Sequence, residues 1–121
     1  MKIKVTDKRT IEEVQEEFTK EFTYLKIQFF KHGHKTFKGN EKKEMIPPST
    51  LFGSIRHTNG TIEINDDMKV SELELLFKEQ LGLNIQVFRK SGKSWLETTV
   101  TDGWTLKKQN DEGKELSVLE I

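Results

Sequence analysis

At 121 residues the chain suffices for a single domain with one core, and its 20 basic side chains are balanced by 20 acidic ones. That neutrality argues against a dedicated duplex-DNA binder, and the absence of cysteine excludes disulfides, thiolate catalysis and cysteine-based metal sites. No apolar run approaches the roughly 20 residues needed to cross a bilayer. Met1 to Val5 carries no signal-peptide pattern, so the expectation is a cytoplasmic protein without membrane association.

In chain order, Ile3 and Val5 alternate with Lys2, Lys4 and Thr6, which predicts a half-buried strand. Thr10-Ile11-Glu12-Glu13 is a capping box opening a helix. Ile11, Val14, Phe18 and Phe22 form its apolar stripe, with Glu12, Glu13, Glu16 and Glu17 toward water. Leu25, Ile27 and Phe29 alternate in the next strand and face the helix. Residues from about 31 to 49, with Gly33, Gly39, Asn40 and Pro47-Pro48, read as a basic loop insert.

Leu51 to Arg56 then suggests a strand turning through Asn59-Gly60, a pair suited to a tight hairpin. A second strand carries Ile62 and Ile64. The second helix carries Val70, Leu73, Leu76, Phe77 and Leu81 and stops at Gly82, which can adopt the left-handed conformation of a helix terminus. Leu83, Ile85 and Val87 follow as a strand. Ser91-Gly92 reads as a hairpin leading to a strand through Trp95, Leu96 and Val100. Trp104 to Glu115 predicts a short helix or irregular cap before the apolar end Leu116 to Ile121.

The chain resembles itself. Ile3–Lys31 matches Ile62–Arg89 with one residue of slippage, through Ile3/Ile62, Asp7/Asp66, Glu13/Glu72, Phe18/Phe77, Ile27/Ile85, Gln28/Gln86 and Phe30/Phe88. Apolar residues also coincide, among them Val5/Ile64, Phe22/Leu81 and Tyr24/Leu83. This predicts one α+β domain over residues 1–121, built from duplicated βαβ units. The expected form is a mostly antiparallel sheet with two helices on one face, ferredoxin-like with extra strands. The alternative lies in the second half, where Asn59-Gly60, Gly82-Leu83, Asp102-Gly103-Trp104-Thr105-Leu106 and Leu116 to Ile121 resemble the ubiquitin-like β-grasp.

A wider resemblance rests on Asp7-Lys8-Arg9-Thr10-Ile11, Tyr24-Leu25-Lys26-Ile27, and Gln86-Val87-Phe88-Arg89-Lys90-Ser91-Gly92 followed by Trp95-Leu96-Glu97-Thr98. In these the chain is similar to a family of small uncharacterised bacterial proteins. The likeness leaves out the insert and implies no activity.

Three features could carry chemistry. His32, His34 and His57 lie in or beside the insert, where a His-x-His pair with Glu41 or Glu44 could ligate a metal; the spacing supplies no fourth ligand, so none is expected. Lys31, Lys35, Lys38, Lys42, Lys43 and Arg56 make the insert basic, suited to an acidic partner or a nucleic-acid backbone. Phe30 and Phe88 fall out of phase with the helix-facing residues, and Trp95 can join them in an aromatic row that would stack bases. The competing expectation is that the C-terminal segment, with Trp104 and Leu106, covers this row as a second small core.

No nucleophile–base pair, phosphate loop or dinucleotide fingerprint is present, so neither catalysis nor a cofactor is expected. The leading expectation is a noncatalytic module that binds another protein through the basic insert or a sheet edge. One alternative is single-stranded nucleic-acid binding through Phe30, Phe88 and Trp95 with Lys35, Lys38, Lys42 and Lys43. Another is a small-molecule sensor holding its ligand between the copies.

Overall fold

The computed structural model describes residues 1–32 and 44–118. In order they form β1 (Lys2–Val5), α1 (Ile11–Glu21), β2 (Leu25–Phe30), a single 3-10 turn (Phe52–Ser54), β3 (Gly60–Glu63), α2 (Val70–Leu81), β4 (Asn84–Ser91), β5 (Ser94–Glu97) and α3 (Leu106–Val118). The Thr10 hydroxyl accepts from the Glu13 N–H, and the Glu13 carboxylate accepts from the Thr10 N–H, so α1 opens on the expected capping box. At α2 only the second half exists: Glu72 accepts from the Lys69 N–H, because a lysine side chain has no acceptor to offer in return. Gly82 ends α2 at φ 66°, and Gly92 turns the β4–β5 hairpin at φ 60°, both in the left-handed region.

The expected single sheet is two sheets. Among the described residues β1 pairs only with β3, while β2, β4 and β5 form a separate antiparallel sheet in that order. The registers explain the division. Ile3 lies opposite Ile62, and Gln28 lies opposite Gln86. These are the residues that the repeat makes equivalent, so each strand pairs with its own counterpart about a local two-fold axis. The βαβ units are therefore interlocked, and each strand of a unit is completed by the other unit.

The repeat also runs further than Lys31 and Arg89. Glu44 to Ile46, inside the supposed insert, returns along the outer edge of β2: Phe30 bridges Met45, and the Ile46 N–H donates to the Phe29 carbonyl at 2.8 Å. β5 does the same on β4, with Phe88 opposite Glu97 and Thr98 donating to Val87 at 3.3 Å. Beyond this point the two copies make matching bonds. The Ile11 N–H reaches Thr50 as that of Val70 reaches Trp104, and Glu12 reaches Pro48 as Ser71 reaches Asp102. Phe52 reaches Arg9 as Leu106 reaches Met68, and Gly53 reaches Asp7 as Lys107 reaches Asp66.

Two expectations change accordingly. Leu51 to Arg56 is not a strand but contains the 3-10 turn Phe52–Ser54, standing where the second copy begins α3, and Asn59-Gly60 is not a hairpin turn because Gly60 opens β3. The slippage also moves, since the β2–β4 register makes Leu25, not Tyr24, the equivalent of Leu83. The expected strand through Val100 stops at Glu97.

One core joins the copies. Ile3/Ile62, Val5/Ile64, Ile11/Val70, Val14/Leu73, Phe18/Phe77 and Phe52/Leu106 are all buried in it as equivalent pairs. Phe29 packs edge-on to both Phe52 and Phe77, at 5.5 and 5.9 Å between ring centroids. Each buried side chain of this size contributes about 1.5–3 kcal/mol, so the shared core is the main source of cohesion between the copies.

Candidate docking groove

Where β2 ends and β4 begins, both copies line a concave groove of about 450 Å³. Phe30, Ile46, Ile55 and Leu83 give it apolar walls, and Lys31 and Arg56 stand among them as exposed cations. No aspartate or glutamate is among its described lining residues. Neither cation has an ion-pair partner among the described residues. Glu44, whose carbonyl accepts from the Lys31 N–H, directs its carboxylate to His32 Nδ1 at 3.0 Å instead. Unpaired cations beside apolar walls suit a ligand that is both apolar and anionic.

The positions of these groups follow from the backbone. The bond from Ile46 to Phe29 places Ile46 against the end of β2. The 3-10 turn, with the Ser54 hydroxyl donating to the Leu51 carbonyl at 2.8 Å, delivers Ile55 and Arg56 to the rim. Gly82 and Leu83, the two residues between α2 and β4, complete the far wall.

The aromatic row is on the expected face, but it is not a row of three exposed rings. Lys26 lies opposite Phe88, and Phe30 lies opposite Asn84, with Gln28 and Gln86 between them. Phe30 is only 3% exposed, whereas Phe88 and Trp95 are half-buried. Lys26 Nζ sits 4.8 Å from the Trp95 ring centroid and 5.7 Å from that of Phe88, within cation–π range. Burial beside these rings pushes the Lys26 ammonium below the ordinary lysine pKa.

The C-terminal segment does not cover this face as expected. Leu106 enters the main core, and Trp104 packs instead with Arg89 and Lys108, whose charged groups lie 5.5 and 4.3 Å from its ring. Arg89 points to the face opposite Phe88. Thr99 reaches the buried Gln86 through a 3.3 Å hydrogen bond, so a threonine does part of the covering.

The remaining candidates separate. His57 is buried against Phe52, with Nδ1 2.8 Å from the Ile55 carbonyl and Nε2 2.6 Å from Asn59 Oδ1 and 3.4 Å from Asp7. His32 meets Glu44 elsewhere, and His34 with Glu41 lies outside the described residues. Among the described residues no three such side chains are grouped to hold a metal ion. Lys35, Lys38, Lys42 and Lys43 also lie outside the described residues.

The outer edge of β2 is partly occupied by α1, where Gln15 and Thr19 donate to the Ile27 and Leu25 carbonyls at 2.9 and 3.0 Å. β5 has no outer partner strand among the described residues, and Leu96 and Val100 beside it are exposed. No described helix is long and apolar enough to cross a membrane.

No family model matches the chain, and neither the curated proteins nor the solved structures provide a match.

Proposed function

We propose that this is a noncatalytic binding domain whose ligand is another protein, docked at the groove between the copies. What supports the reading is one observation: apolar walls carrying Lys31 and Arg56, with no lining carboxylate among the described residues to neutralise them. Burying Pro47 and Ile55, the apolar lining residues that keep exposed surface, would supply affinity, and an acidic partner side chain on Arg56 would supply orientation. The edge of β5 offers backbone groups and the exposed Glu97, but not the apolar walls with unpaired cations that the groove presents, so the groove is the better site. The aromatic face is less suited to stacking bases, since Phe30 is buried and Lys26 already lies over the other two rings.

The test is a photo-crosslinking amino acid placed at Ser54, on the groove, or at Lys93, in the hairpin at the far end of β4, in cells that make the protein. Adducts with protein from Ser54, diminished by Arg56→Glu and absent from Lys93, are the expected result. Adducts with nucleic acid at Ser54, or protein adducts indifferent to Arg56→Glu, would overturn the assignment.

A further inference from the structure

The internal symmetry says what shape the groove is made for. Its lining residues Phe30, Lys31, Gly82 and Leu83 are the equivalents of Phe88, Arg89, Tyr24 and Leu25. In the second copy that equivalent place is occupied by α3. Gly113 packs there so closely that an added Cβ would lie 2.8 Å from Tyr24 Cβ and 3.2 Å from Arg89 Cγ. Asn110 Oδ1 accepts from the Tyr24 N–H at 2.9 Å, and Gln109 Oε1 accepts from Arg89 Nη1 at 2.9 Å.

The first copy starts the same helix. Phe52 and Gly53 make the backbone bonds that Leu106 and Lys107 make, and Ser54, Ile55 and Arg56 stand where Lys108, Gln109 and Asn110 stand. There the likeness ends. Ile55 is extended at φ −117° and ψ 142°, and the chain leaves for β3 after one turn. Among the described residues nothing in the first copy corresponds to Asp111–Val118. The groove is the seat that α3 fills in the second copy and that, among the described residues, no helix fills in the first.

We propose that the groove receives a helix from the partner protein, lying over Gly82 and Lys31 as α3 lies over Tyr24 and Arg89. This rests on the protein-docking reading above and names its partner's chemistry. The helix carries a small residue where its backbone crosses Gly82, and carboxylates on either side that reach Lys31 and Arg56. The cations select acids because, unlike Arg89, neither has an acceptor among the described residues. In α3 the half-buried Glu112 flanks Gly113, while Asp111 and Glu115, two residues away on either side, are exposed on the outward face.

The probe is a lactam-stapled helical peptide with the sequence of residues 111–118, titrated into the isotopically labelled full chain and followed by amide chemical shifts. Shifts at Lys31, Arg56, Gly82 and Leu83 are expected. Affinity should fall at least about tenfold with Gly113→Leu in the peptide, and likewise with Arg56→Glu in the protein. No binding at millimolar peptide would overturn the proposal. So would shifts confined to Tyr24, Arg89 and Trp104, which would mean that the peptide had displaced the chain's own α3. A proline-broken peptide of the same composition binding the groove equally well would overturn the helix, while protein adducts at Ser54 would leave the docking site standing.

Discussion

Gly113 is the residue at which packing and helix propensity oppose each other most directly. Replacing a helical glycine by alanine gains about 1 kcal/mol in propensity. Here the new methyl would meet Tyr24 Cβ at 2.8 Å and the Tyr24 carbonyl oxygen at 3.0 Å. The carbonyl belongs to backbone that also accepts from the Lys90 N–H, so it cannot swing aside. Overpacking of this kind costs about 1–3 kcal/mol, so Gly113→Ala should lower stability by about 1 kcal/mol net in urea unfolding. A gain in stability would mean that α3 shifts freely on the sheet. α3 was hard to read in sequence for the same reason. It contributes Leu106 to the core but seats itself through Gly113 and the buried Gln109, whose amide donates to Thr101 at 2.8 and 2.9 Å. A polar run buried by hydrogen bonds leaves no apolar stripe to recognise.

At the scale of elements, the two main helices and their flanking strands were legible because apolar spacing follows directly from helical and strand geometry. The connections were not. Phe52 and Leu106 are equivalent core residues, but one turn of helix around Phe52 has no period, and Asn59-Gly60 imitates a hairpin that the strand pairing does not use. The capping box at α1 was legible, since its four residues are contiguous. It also titrates. The Thr10 N–H, then its hydroxyl, then Arg9 hold the Glu13 carboxyl below the ordinary carboxylate pKa. A carboxyl whose folded pKa is depressed contributes stability above its unfolded value and loses it as pH falls through the folded value. Glu13→Gln should therefore lower the unfolding midpoint at neutral pH, and the gap from wild type should close on acidification. A gap that stays constant into acid would assign the effect to the neutral hydrogen bonds alone.

For the whole molecule, the decisive fact is that both principal strand pairings run between the copies rather than within them. The duplication was legible from Ile3/Ile62 and Gln28/Gln86; their lying face to face was not, because sequence similarity carries no information about which strands pair. The groove was equally hidden, since it collects residues from the end of β2, the 3-10 turn and the start of β4. If each copy had its own sheet, the halves could unfold separately. Because β1 requires β3 and β2 requires β4, the second half alone would keep only the β4–β5 hairpin. The first half would keep no strand-to-strand pairing among the described residues, so unfolding should be a single transition. The chain itself supplies the probes. Both tryptophans, Trp95 and Trp104, belong to the second copy, whereas far-ultraviolet circular dichroism reports on both. Ile3→Ala removes a fully buried side chain from the first copy and should cost about 2–5 kcal/mol. Tryptophan fluorescence and circular dichroism should then shift together to the same lower denaturant midpoint, although the substitution and the fluorophores are in different copies. If fluorescence kept the wild-type midpoint while circular dichroism moved, the second copy would be folding alone, and the interlocked strands could not be what holds the molecule together.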